Sequence, residues 1–123
     1  MIFKQQFTYE DRQREGTRIT TRYPDRVPII VERKESSYNK ISGDKVPDID
    51  KHKFLVPRDL TVGQFIYVIR KRIKLGPEQA LFLFIGQSNT IPPTNMLLGT
   101  IYNNHMDPDL FLYIYYCGEN TFG

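Results

Sequence analysis

One cysteine in 123 residues, Cys117, leaves no partner for an intramolecular disulfide, and the expectation that follows is a reducing, intracellular compartment. No apolar run reaches the length of a membrane-spanning helix, and the N-terminus lacks the charged-then-apolar pattern of a signal peptide. Neither a span nor a leader is expected. Charge of one sign is also scarce, because the net charge is +3 and acidic residues are scattered among the basic ones. A nucleic-acid partner would gather Lys and Arg into a patch with exposed aromatics, and none is expected; the small excess reads first as an ordinary solvated surface and fits an anionic peptide or an anionic lipid surface equally well. His52 and His105 are the histidines, and Cys117 sits in an apolar run without a local motif, so thiol catalysis has no support and the chain is not expected to be an enzyme. Asp44, Asp48 and Asp50 lie close together but lack the ligand order and glycine of a calcium loop. No metal or cofactor is expected.

What is present suffices for one core, since 40% of the residues are apolar and this length needs no metal or disulfide staple. The best-specified stretch is Lys53 to Ile73, KFLVPRDLTVGQFIYVIRKRI. Lys53 to Val56 alternates polar and apolar side chains as a two-faced strand does, and Pro57 ends the strand or confines it to a sheet edge. Thr61 stands at an N-cap, with Gln64 completing a capping box and Leu60 and Phe65 at the staple positions. At the helical period Val62, Ile66, Ile69 and Ile73 make one apolar stripe. Phe65, Val68 and Arg72 make a second row on its shoulder, which either widens the buried face or lines a groove between helix and edge strand. Gly76 in Leu75-Gly76-Pro77 is available for a left-handed cap.

Upstream, the spacing predicts a short helix near residues 3–8 and a longer one from about 10 to 22, with Phe7, Ile19 and Tyr23 as inward anchors and Pro24 as the stop. The β-branched run Arg26 to Arg33 reads as a central strand. Lys34 to Asp50 is polar and rich in turn formers, as a long, mobile loop would be. Leu81 to Ile85 reads as a buried strand followed by a turn through Gly86 to Asn89, and Thr94 or Asn95 as the cap of a helix running to about Asn104. Leu110 to Cys117 is aromatic enough for the middle of a sheet, and Glu119 to Gly123 reads as a tail. The first two strands should pair antiparallel, and helices largely on one face of a mixed sheet give an α+β class.

Laid in order, VPIIVER, DKHKFLVPRDLTVGQFIYVIRKRI, LFLFI, TIPPT and FLYIYYCGENTFG closely resemble the GABARAP and light-chain-three family of autophagy ubiquitin-like modifiers. The resemblance spans nearly the whole chain. It implies a ubiquitin-like β-grasp core over residues 25–118, two additional N-terminal helices in residues 1–24 and a conjugation tail over 119–123. It also implies that Gly123 is joined to phosphatidylethanolamine by activating and conjugating enzymes, with Thr121 and Phe122 read by the processing enzymes and a cysteine protease reversing the bond. The expected location is cytoplasmic, then membrane-attached on autophagosomes or related vesicles after lipidation.

The same resemblance implies a binding edge for cargo receptors and adaptors that carry an aromatic-x-x-aliphatic motif. An aromatic pocket would comprise Glu15, Ile19, Pro28, Ile30, Lys53, Leu55 and Phe111, and an aliphatic pocket Phe54, Val56, Pro57, Leu60, Phe65 and Val68. Phe65 and Val68 then read as partly exposed groove lining. Arg26, Lys51 and Arg72 would favour acidic flanks. Against the usual pattern, the loop around Ser36 to Val46 is long and Gln87 to Asn89 enlarge another turn. The alternative function is a ubiquitin-like peptide-binding module that is never conjugated.

Overall fold

Two strands that are apolar almost throughout take the centre of a mixed sheet, because only there are both of their faces covered. The computed structural model describes residues 2–34, 46–86 and 90–118; the expected loop core over 35–45, the turn at Gln87 to Asn89 and the tail with Gly123 lie outside the described residues. β1 (Arg26–Arg33) and β4 (Leu112–Cys117) run parallel side by side, with β2 (Lys53–Pro57) antiparallel to β1 and β3 (Phe82–Ile85) antiparallel to β4. The order is β2–β1–β4–β3, so among the described residues β2 and β3 each have one strand neighbour.

Helices lie on both faces, where sequence reasoning expected them largely on one. α3 (Val62–Ile73) and α4 (Leu98–His105) cover the side bearing Val27, Ile29, Val31, Leu112, Ile114 and Tyr116. α1 (Ile2–Gln6) and α2 (Tyr9–Arg22) cover the other, where Phe3 and Ile19 meet Ile30, Phe84, Phe111, Tyr113 and Tyr115. The aromatics at alternate positions of β4 make that second face apolar enough to need a cover.

The inward anchor of α1 is Phe3, not Phe7. Phe3 packs edge-on to Phe111 with ring centroids 5.4 Å apart, while the exposed Phe7 lies over Phe3 at 5.1 Å. α2 buries Arg12, Gly16 and Ile19 along one face, and Tyr23, its C-cap, is exposed where the chain turns toward β1. Gly16 sits in mid-helix for a steric reason: a Cβ there would stand 2.1 Å from the Asp109 carbonyl oxygen.

The capping box of α3 forms as the sequence predicts, Gln64 N–H donating to Thr61 Oγ1 at 3.1 Å and Thr61 N–H to Gln64 Oε1 at 2.9 Å. Its left-handed cap is Lys74 (φ 56°) rather than Gly76, and Leu75 N–H returns to the Arg70 carbonyl at 3.1 Å to close the turn. α4 starts later than expected, with Leu97 as an N-cap that makes no side-chain bond. The carbonyls of Thr94 and Met96 instead accept from Gly63 and Val62, and the first amides of α4, at Leu98 and Gly99, donate to Leu60 and Arg58. Backbone from the 58–60 turn thus replaces the side-chain cap. The end of the expected mobile loop is anchored as well: Val46 and Ile49 enter the core, and Tyr116 Oη donates to the Pro47 carbonyl at 2.8 Å.

Candidate functional site

β2 alternates because its two faces meet different helices. Lys53 and Leu55 point to the α2 side and Phe54 and Val56 to the α3 side, which sends each expected residue set to its own flank of one strand.

On the α2 flank the register places Pro28 opposite Leu55 and Ile30 opposite Lys53. Ile19, Ile30 and Phe111 are buried in one cluster with Leu55 half-buried against it. Glu15 reaches over from α2, its Oε1 accepting from Lys53 Nζ at 2.6 Å, with Arg18 Nη2 at 3.7 Å from the same oxygen. Lys53 Nζ also stands 5.7 Å from the centroid of the Phe3 ring. Sequence reasoning missed Phe3 here; its signal was an apolar position in a short N-terminal helix, which was assigned to Phe7.

On the α3 flank Phe54 meets Phe65 edge-to-face with centroids 5.6 Å apart. Phe65 is fully buried, at 0% exposure, so its expected partly exposed position is corrected: it lies beneath the flank, and the exposed apolar member of its row is Val68, at 40%. Leu60 is half-buried against the core and Pro57 is exposed at the strand end. Lys51 Nζ stands 5.0 Å from the Phe54 ring centroid. Arg72 is held by Asp50, Nε to Oδ1 at 3.0 Å, a pairing that a separation of 22 residues hides in the sequence. Arg26 is exposed at the start of β1, opposite Pro57.

The second face also holds a buried polar cluster that the sequence did not reveal. Asp109, at 0% exposure, accepts from Arg12 Nε at 2.9 Å, from Tyr113 Oη at 2.5 Å and from Phe111 N–H at 2.9 Å. Burial first, and then the bond to Asp109, pushes the Tyr113 phenol well above its ordinary range. Arg12 Nη1 also donates to the Phe7 carbonyl at 2.8 Å, so the cluster fixes α2, and with it Glu15 and Ile19, against β4. Cys117 is buried, and the ring nitrogen Nδ1 of His52 is engaged 2.8 Å from the Val31 carbonyl.

The family described as "Autophagy protein Atg8 ubiquitin like" matches residues 11–123. Autophagy-related protein 8d of Arabidopsis thaliana is 55% identical over 121 residues, covering 98% of this chain and 93% of that protein. Autophagy-related protein 8 of Scheffersomyces stipitis is 54% identical over 121 residues, covering 98% and 81%. The crystal structure of Trypanosoma brucei ATG8 superposes with a TM-score of 0.82 at 42% identity, covering 98% of this chain and 97% of that one.

Proposed function

The chain belongs to the Atg8 family of ubiquitin-like autophagy proteins, and from that premise we propose that it is the protein substrate of a lipid-conjugation cascade and, once attached, a docking surface for short peptides. In this reading it is a modifier and not a catalyst. An activating enzyme adenylates the Gly123 carboxylate with ATP and captures the acyl group as a thioester. A conjugating enzyme receives it, and the amine of phosphatidylethanolamine displaces the thiol to leave an amide. Glycine suits that path because a residue without Cβ enters narrow active sites. A cysteine protease hydrolysing the amide returns the protein from autophagosomes or related vesicles to the cytoplasm.

The docking role rests on one observation: among the described residues the outer edge of β2 has no strand beside it, and side chains of opposite flanks stand on either side of it. An extended peptide adding to that edge places an aromatic residue against Ile19, Ile30, Leu55 and Phe111, and an aliphatic one against Phe54, Leu60 and Val68. Glu15, Pro28, Lys53, Val56 and Pro57 complete the two sets, with Phe65 supporting Phe54 from beneath, and Arg26, Lys51 and Arg72 attract acidic flanks.

Incubation with the activating and conjugating enzymes, ATP and phosphatidylethanolamine-containing liposomes tests the first role. A lipidated product that Gly123→Ala loses supports conjugation. An unchanged mass favours a peptide-binding module that is never conjugated.

A further inference from the structure

Arg72 lies four residues beyond Val68, one turn along the same surface of α3. Its side chain is 42% exposed, and its Nε–H donates to Asp50 Oδ1 at 3.0 Å. Asp50 belongs to the short segment leading into β2, and its side chain is 72% exposed. No burial holds that carboxylate in place. The next residue, Lys51, turns its ammonium toward the Phe54 ring instead, 5.0 Å from the centroid. The segment before the strand thus puts an acid of the chain's own on the cation that stands at the aliphatic end of the groove.

We infer that Asp50 is a specificity-determining residue of the groove, an internal competitor that occupies Arg72 and lowers the advantage of ligands with acidic residues beside their aliphatic anchor. The inference rests on the docking role proposed above. A ligand carboxylate arriving at Arg72 meets a guanidinium already engaged. It must displace Asp50 and forgo that ion pair, or share the fork and bring two anions together. A ligand with neutral flanks meets neither penalty. Exposed pairs of this kind contribute about 0.2–1 kcal/mol, which is about 1.4- to 5-fold in affinity. Asp50 therefore grades ligands rather than closing the site.

The test uses two peptides with the same aromatic-x-x-aliphatic core, one with glutamates and one with glutamines on both sides of the aliphatic residue. Calorimetry gives their affinity ratio for the wild type, Asp50→Asn, Arg72→Gln and the double variant, each checked for folding by its melting temperature. Asp50→Asn should raise the preference for the glutamate peptide by about threefold, and in the Arg72→Gln background the same substitution should leave the ratio unmoved. If the glutamine peptide binds the wild type but Asp50→Asn does not change the ratio, or changes it equally without Arg72, Asp50 is not the competitor and the docking role stands. If neither peptide binds the wild type, the docking role fails and takes this inference with it.

Discussion

Lys53 Nζ stands 2.6 Å from Glu15 Oε1, tying the outermost strand to α2 across the side chains expected to receive an aromatic residue. Both groups are partly exposed, 42% and 31%, so the pair should add less than about 1 kcal/mol to stability. Its larger effect belongs to encounter with charged ligands. Lys53→Met is expected to shift the urea midpoint only slightly while slowing association of a peptide with acidic residues before its aromatic anchor, and flattening the salt dependence of that rate. Stopped-flow association across a salt series checks this. An unchanged salt slope would show that Lys53 serves α2 alone.

Val68 is the cleanest probe of the aliphatic flank because it is exposed while its neighbours hold up the core. Val68→Asp should change stability by no more than about 0.5 kcal/mol and weaken an aromatic-x-x-aliphatic peptide by more than about tenfold, or about 1.4 kcal/mol. Phe54→Ala would confound the two measurements, since removing a buried ring costs about 3–5 kcal/mol of stability. Full-strength binding by Val68→Asp would remove that flank from the site.

Gly16→Ala pits helix propensity against packing. Alanine in an exposed helix interior gains about 1 kcal/mol over glycine, but here the new methyl would meet the Asp109 carbonyl oxygen at 2.1 Å, and Asp109 is fixed by Arg12 and Tyr113. Backbone cannot yield as a flexible side chain would. The expected outcome is a net loss of about 1–3 kcal/mol in chemical denaturation; a gain would mean that α2 can shift away from β4.

How much of this was legible in the sequence depended on the range of the interaction that decided it. Strand β1, the capping box of α3 and the alternation of β2 follow from neighbours a few residues apart, and they were readable from VPIIVER, Thr61 with Gln64, and Lys53 to Val56. The start of α4 was not, because Thr94 and Met96 use their carbonyls to satisfy α3 and the cap is supplied by the 58–60 backbone. The Arg12–Asp109 and Arg72–Asp50 pairs join residues 97 and 22 apart, and composition cannot show which acids face which bases. Periodicity named Phe65 and Val68 as one row, but it could not tell that the sheet buries Phe65 and leaves Val68 in water. Family resemblance supplied the groove's residue sets; local pattern supplied only the strand and helix that carry them.

Lys74 holds a left-handed conformation, φ 56° and ψ 44°, as the exposed C-cap of α3. A residue with Cβ pays about 1 kcal/mol there that glycine does not. Lys74→Gly is therefore expected to raise stability by about 0.5–1 kcal/mol in urea unfolding, less whatever its charge contributes at the helix C-terminus. A loss of that size would show the helix-dipole contribution to be the larger one.

The link between α1 and the loop after α4 should respond to acid. Lys4 Nζ lies 2.6 Å from Asp107 Oδ1, and 4.5 Å from the Tyr113 ring centroid. Burial pushes the Asp107 carboxyl upward, but the hydrogen bond from Lys4 and the backbone bond from Asp109 outweigh it and hold the group below its ordinary value of 3.8. The folded chain then binds fewer protons at this site than the unfolded chain, so the contribution is fully present above the unfolded value and is lost as pH falls through the folded one. Urea titrations from pH 6 to pH 2 should show wild-type stability falling more steeply than that of Asp107→Asn below about pH 4, with the two slopes parallel above about pH 5. The buried Tyr113 and the Arg12 cluster beside it remain in both proteins, so the difference reports the Asp107 carboxylate with its bonds to Lys4 and to the Asp109 amide. Parallel slopes through the acid range would mean that α1 is held by Phe3 against Phe111 without help from this charge.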